Sequence, residues 1–166
     1  MNKIVNYFFK DRVTQFGLFL LFILIMTASL SVFINTANIQ NLDNRLLSAG
    51  SSDHLLGTDH FGRDILLRII VGAGVSIKVG LLASTISLLL GIFLGLIAGY
   101  FGKWVDTLIM RFTDIMMAFP VLLFLIAISA TFKPGINTAM IAIGVVSWPP
   151  MARLMRSQVL MLKSRE

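Results

Sequence analysis

The sequence predicts an all-α membrane protein, a polytopic transmembrane helical bundle with four spans, and three observations lead to this prediction. Charged residues make up only 13% of the 166 residues, about half of the share that a soluble domain carries. Hydrophobic residues make up 57%. They are gathered in long runs without a charge, and about 20 such residues cross a hydrocarbon core of about 30 Å.

The first predicted span is Val13–Ile34, which follows a basic cytoplasmic head at residues 1–12. Its 22 uncharged residues exceed the apolar core of a secretory signal peptide, so an uncleaved anchor is favoured over a signal peptide. Residues 35–78 are predicted to form an extracytoplasmic loop that ends in an interfacial helix. This helix is expected to begin near Arg63, and Gly72 and Gly74 are expected to bend it before the next span.

Three further spans are predicted within residues 79–166, and a basic, cytoplasmic helical end follows the last one. Uncharged runs place them at residues 79–102, 115–132 and 138–152. Because proline lacks a backbone donor, helix kinks are predicted at Pro120, Pro149 and Pro150. A structural kink is the default interpretation, and a hinge in a moving transporter is the alternative.

The basic residues predict that both termini lie in the cytoplasm. With this orientation the inside segments carry nine Lys and Arg residues and the outside segments carry five, as the positive-inside rule requires. The net charge of +6 is spread between apolar runs and not gathered on one polar domain, so no nucleic-acid partner is expected.

The residues from Leu55 to Asp64 form a compact, charged and glycine-punctuated segment outside the membrane, which we call the signature loop. Asp59 is expected to cap a helix start, and Asp64 to stabilise the first helical turn and to pair with Arg68. A metal site with His54 and His60 is the alternative, but their spacing is unsuitable and the chain has no cysteine. No metal and no other cofactor are therefore predicted. The loop residues singled out are Gly57, Thr58, Asp59, Gly62, Arg63 and Asp64.

Small residues recur every three or four positions along the second predicted span. Glycine and serine let helix backbones approach closely in lipid, so this stripe predicts a tight helix–helix seam, and the wall of a translocation pathway is the alternative. Another pattern, Arg111 and Asp114 three residues apart, predicts an ion pair within one helix. The stripe consists of Ser76, Gly80, Ser84, Ser87, Gly91, Gly95 and Gly99.

Four motifs together closely resemble the second permease subunit of the ABC importers for dipeptides, oligopeptides and nickel. The most specific is LGTDHFGRD at residues 56–64, and GLIAGYFGKWVD follows at residues 95–106. Met110–Asp114 with Ala118–Pro120, and Ser147–Trp148 with Ala152–Arg153 and Arg156–Ser157, complete the pattern. The resemblance covers about residues 46–166.

This resemblance implies an inner-membrane subunit that hydrolyses nothing itself. Its partners would be a homologous permease, two cytoplasmic ATPases, an extracytoplasmic substrate-binding protein and the lipid bilayer. Because the loop that docks such permeases onto the ATPase would follow Glu166, the chain is expected to be the N-terminal portion of a six-span permease. Peptides are the expected cargo, and nickel or a nickel chelate is the alternative.

Functions of other classes have less support. A channel needs charged or carbonyl ligands within a span, and the predicted spans carry no charge. No metalloprotease, P-loop or nucleophile-elbow motif occurs, so an enzyme is not expected. A non-transporting membrane scaffold is a further alternative.

Overall fold

The structure, a computed structural model, describes residues 11–34, 41–51 and 53–164. The predictions for the basic head up to Lys10, for residues 35–40 and 52, and for residues 165–166 of the basic helical end lie outside the described residues. Within the described ranges the named elements are all helical, so the prediction of an all-α membrane protein is confirmed. The described residues form six α-helices, α1 (Arg12–Leu30), α2 (Ile65–Phe101), α3 (Lys103–Ala118), α4 (Val121–Thr131), α5 (Ile136–Val146) and α6 (Trp148–Lys163).

The chain forms two compact units, residues 1–78 and residues 79–166, and α2 begins in the first and ends in the second. In the first unit, Asp11 caps α1, because its carboxylate accepts hydrogen bonds from Val13 N and from the Thr14 hydroxyl. A short 3₁₀ helix, Ser31–Phe33, follows α1 directly.

Helix α2 differs from the prediction, since one helix of 37 residues replaces the expected interfacial helix and second span. Neither Gly72 nor Gly74 interrupts it. A Cβ atom added at Gly74 would collide with the Ser31 side chain. Gly74 therefore permits a close approach of neighbouring chain segments, and no break of the helix is associated with it.

Two of the helix breaks in the described part of the second unit lie near the kinks predicted at Pro120, Pro149 and Pro150. Helices α3 and α4 meet at 87° across Phe119 and Pro120. Phe119 has extended backbone angles, as expected of a residue before proline. Helices α5 and α6 are separated at Ser147. Pro149 and Pro150 lie in the first turn of α6, where proline needs no backbone partner, so the break precedes the prolines and does not lie at them.

In the part of the chain that the structure describes, three segments are long and apolar enough to cross a membrane: Arg12–Phe33, Ile65–Phe101 and Ile136–Lys163. A fourth span results if α3 and α4 are counted as one broken span. The predicted number of four is thus the upper value, and the predicted orientation stays a prediction.

The interior of the second unit is built largely from small side chains. Ala98 and Ala152 are fully buried, as are Thr113 and Pro149. The Thr113 hydroxyl donates to the Ile109 carbonyl of its own helix at 2.8 Å, so its burial leaves no polar atom without a partner. Trp148 stacks on Phe112 with ring centres 5.8 Å apart, which joins the start of α6 to α3.

Candidate functional site

Asp59 organises the signature loop. Its Oδ1 atom accepts hydrogen bonds from the backbone N–H groups of Phe61 (2.8 Å) and Arg63 (3.0 Å). Its Oδ2 atom accepts from Arg63 Nε (2.9 Å) and from Arg68 Nη1 (2.6 Å). The Arg63 guanidinium also lies over the Phe61 ring, 4.7 Å from its centre. One carboxylate therefore holds both the turn of the loop and the first turn of α2.

Asp64 is the residue that caps α2. Its Oδ1 atom accepts from Leu67 N at 3.0 Å, which satisfies one of the N–H groups that a helix start leaves free. Its Oδ2 atom lies 2.8 Å from His54 Nδ1. The roles expected of the two aspartates are therefore exchanged, and the predicted pair of Asp64 with Arg68 is wrong, because Arg68 binds Asp59 instead.

Both carboxyl groups have lowered pKa values. Burial raises the pKa of Asp59, but the N–H groups of Arg63 and Phe61 and the Arg63 guanidinium outweigh this effect and bring the pKa to about 2. Burial also raises the pKa of Asp64, and the hydrogen bonds from His54 and from the N–H groups of Leu67 and Leu66 lower it further than burial raises it. Both groups are charged at neutral pH.

Thr58 joins the loop to the preceding segment. Its hydroxyl donates to the Asn44 carbonyl and accepts from Leu47 N at 2.9 Å, and the side chain is buried. The backbone of Thr58 donates to the Leu47 carbonyl, and Leu46 N donates to the Asp59 carbonyl. The loop is thus held by a strand-like pairing with residues 44–47.

Two glycines make this pairing feasible. Gly57 and Gly62 have φ angles of +76° and +71°, in the region that other residues rarely adopt. A Cβ atom at Gly57 would collide with the Leu47 carbonyl, and one at Gly62 with the Asn41 carbonyl. Both positions require glycine for conformation and for space.

The geometry of the loop argues against a metal site there. Among the described residues no three His, Cys, Asp or Glu side chains converge as a metal would need. His54 is engaged by Asp64, and the His60 ring lies against Phe61 at 4.2 Å. Asp59 already accepts four hydrogen bonds from within the protein. The side chains of this loop therefore stabilise its conformation and do not form a ligand site.

The small-residue stripe divides into two parts. Gly91, Gly95 and Gly99 are buried against α6, and we call this contact the glycine seam. A Cβ atom at Gly91 would lie 2.6 Å from Met151 Cβ, and one at Gly99 would lie 2.7 Å from Val159 Cβ. At Gly80, in contrast, nothing lies within 4 Å. Ser76 and Ser84 are likewise exposed, and Ser87 is half-buried.

A second glycine contact was not predicted. Gly144 of α5 is buried, and a Cβ atom there would lie 2.7 Å from Ile86 Cβ and 3.0 Å from the Ala83 carbonyl of α2. A single glycine in an apolar run gives no periodic signal, so the sequence did not single it out.

Helices α3 and α6 are joined by ion pairs that span a long stretch of sequence. Arg156 binds Asp106 through two hydrogen bonds, with Nη2 and Oδ2 2.6 Å apart. Arg153 binds Asp114 at 2.5 Å. The predicted pair of Arg111 with Asp114 is therefore wrong, because the carboxylate turns toward the neighbouring helix. The pair of Asp106 with Arg156 was missed, although two arginines three residues apart on α6 were a usable signal.

A comparison with known proteins assigns the second unit to a family. Residues 91–166 match the family model described as the inner membrane component of binding-protein-dependent transport systems. This range contains the glycine seam and both ion pairs.

Curated proteins extend the match to nearly the whole chain. A dipeptide transport system permease protein of Alkalihalophilus pseudofirmus is 44% identical over 159 residues, which are 95% of this chain and 52% of the relative. An oligopeptide transport system permease protein of Bacillus subtilis is 36% identical over 164 residues, 96% of this chain and 52% of the relative. A glutathione transport system permease protein of Pectobacterium atrosepticum is 40% identical over 120 residues, 72% of this chain and 40% of the relative. The chain spans about half the length of these relatives.

Proposed function

Because this chain belongs to the family of inner membrane components of binding-protein-dependent transport systems, we propose that it is a permease subunit of an ABC importer. As a multi-pass protein of the inner membrane, it contributes part of the path by which di- and oligopeptides enter the cell. The observation that carries this proposal is the match over nearly the whole chain to permeases named for dipeptide and oligopeptide transport.

The helical arrangement is suited to this role. Helix association in lipid depends on close backbone approach, and the glycine seam supplies it between α2 and α6. Helix α4 follows a break at Pro120, and helix α6 follows a break at Ser147. A bundle with one tightly packed part and two interrupted helices is suited to a transporter that alternates between two states.

The partners follow from the proposed role. A homologous permease would complete the path, two cytoplasmic ATPases would supply the energy, and an extracytoplasmic protein would deliver the cargo. The chain itself would hydrolyse no ATP. The signature loop, whose aspartates are engaged by Arg63 and by the neighbouring His54 and Arg68, would serve as a rigid extracytoplasmic element and not as a reaction centre.

Deletion of the gene for this chain, followed by uptake measurements in the same organism, tests the proposal. Initial uptake of a radiolabelled dipeptide should fall in the deletion strain and return when the wild-type gene is restored. Nickel-63 uptake measured in the same cells tests the alternative cargo. Loss of nickel uptake with normal peptide uptake would replace the peptide proposal with the nickel one.

Two further results would contradict transport altogether. If both uptakes are normal in the deletion strain, the chain is not needed for import of either cargo. If the chain then co-purifies with a second permease and ATPases from the membrane, a subunit that assembles without transporting is favoured, and if it co-purifies with neither, the scaffold interpretation is favoured.

A further inference from the structure

Two carboxylates of α3 meet two guanidinium groups of α6, and we call this arrangement the charge clamp. Its first ion pair joins Asp106 and Arg156 through two parallel hydrogen bonds. Its second joins Asp114 and Arg153 through one. Both acceptors belong to α3 and both donors to α6, so the clamp acts between these two helices only.

The two ion pairs differ in burial and geometry. The side chains of Asp106 and Arg156 are 17% and 32% exposed, whereas those of Asp114 and Arg153 are 61% and 47% exposed. A paired guanidinium and carboxylate with two hydrogen bonds is both stronger and more directional than a single contact. Loss of one partner of a poorly solvated pair leaves an uncompensated charge, whereas an exposed pair contributes little. The pair of Asp106 and Arg156 therefore carries the clamp.

The end of α6 is tied to α2 by a further charged group. Lys163 Nζ donates to the Tyr100 carbonyl at 2.7 Å and lies 5.5 Å from the centre of the Tyr100 ring. Carbonyls in the last turn of a helix lack partners within that helix, so this contact satisfies one of them. Helix α6 is thus joined to α2 by the glycine seam and Lys163, and to α3 by the charge clamp.

We propose that Asp106 and Arg156 are positioning residues that fix α6 on α3. Helices α2, α3 and α6 then move together as one rigid body. The role of this rigid body in transport rests on the proposed function. The rigidity of the contact between α3 and α6 is independent of the proposed function, because it can be measured without any cargo.

Spin labels on α3 and α6 test the rigidity in the purified full chain. The chain has no native cysteine, so labels can be attached at Leu108→Cys and Leu160→Cys, two exposed positions. Double electron–electron resonance then gives the distribution of distances between the two helices. The variants are Asp106→Asn, Arg156→Gln and the exchanged pair Asp106→Arg with Arg156→Asp. Asp114→Asn is the matched control on the same helix.

The distance distribution should become broader than in the wild type when either partner of the half-buried pair of Asp106 and Arg156 is lost. It should return to the wild-type width in the exchanged pair and stay unchanged in the control. Unchanged widths in both single variants would overturn the proposal. If the single variants fail to accumulate in the membrane, the exchanged pair decides alone: a narrow distribution supports the proposal, and a broad one or absence from the membrane refutes it.

Peptide uptake by the same variants separates this inference from the proposed function. In a cell that depends on this chain, the single variants should lower the maximal uptake rate with an unchanged KM, and the exchanged pair should restore the rate. Normal uptake rates in single variants with broad distributions would refute a role of the clamp in transport. Expected distance distributions in a chain that imports no peptide would contradict the proposed function and leave the clamp intact.

Discussion

Replacing Gly95 by alanine should destabilise the second unit, because the glycine seam has no room for a methyl group. The added Cβ would lie 2.5 Å from the Ala152 carbonyl oxygen, 2.7 Å from Met155 Cβ and 3.1 Å from Ala152 Cα. The shortest of these is about 0.9 Å below the 3.4 Å at which ordinary contact begins. Two of the three atoms belong to the backbone, so a side-chain rotation cannot relieve the overlap.

The magnitude follows from comparison with a glycine on the same helix that has no neighbour. Alanine in place of a helical glycine gains about 1 kcal/mol from helix propensity, and this gain is common to Gly95→Ala and Gly80→Ala. Overpacking of one methyl group costs about 1–3 kcal/mol and applies only at Gly95, since nothing lies within 4 Å of Gly80. The two variants should therefore differ by this cost alone.

The melting temperature of each variant in detergent measures this difference. Unfolding is monitored as loss of the elution peak of the monodisperse protein. About 2–4 °C per kcal/mol is expected for a chain of this size, so Gly95→Ala should melt about 2–12 °C below Gly80→Ala. Leucine at Gly91 or Gly95 should enlarge the effect and lower accumulation in the membrane. If the two alanine variants melt together, or the leucine variants accumulate normally, the glycine seam is not a packing contact.

Three other predictions concern the signature loop. Gly62→Ala should make the loop sensitive to protease, because the added Cβ would collide with the Asn41 carbonyl. Gly50→Ala is the control, because Gly50 also has a positive φ angle (+84°) but nothing lies within 4 Å of its added Cβ. This control should cost only about 1 kcal/mol of backbone strain. The loop should be fully resistant to pepsin above pH 3.8 and should lose this resistance as the pH falls through about 2, because folding lowers the pKa of Asp59. Loss of pepsin resistance already above pH 3.8 would contradict this prediction. Leu55→Cys should react with an impermeant maleimide added outside intact cells, and labelling only from the cytoplasmic side would reverse the predicted orientation.

The local features of the loop could be predicted from sequence, but their partners could not. The pattern of glycines and aspartates indicated a capped turn that leads into a helix. Which aspartate caps the helix depends on residues 44–47, which pair with Thr58 and set the path of the loop. Arg68 reaches Asp59, nine positions away, because the turn folds back. Helical spacing alone indicated Asp64 as the partner of Arg68.

The same limit applies to the charged residues of the second unit. Spacing along one helix suggested that Asp114 pairs with Arg111, yet the two helices pack so that Asp114 meets Arg153, 39 positions away. Asp106 and Arg156 are 50 positions apart. Such pairs depend on how helices pack, and hydrophobic periodicity carries no information about it. Pro120 was more informative, because proline restricts its own backbone and that of the preceding residue.

The break at Phe119 and Pro120 has a consequence for what surrounds this side of the protein. Counted as one span, α3 and α4 place a non-helical stretch of backbone at membrane depth. Hydrocarbon offers no hydrogen-bond partner, so an interrupted helix is tolerated only beside protein or a water-filled cavity. Helix α4 has no buried residue within the described chain. If α3 and α4 cross the membrane as one broken span, lipid must be absent at the bend, and a neighbouring subunit or the aqueous path itself must take its place.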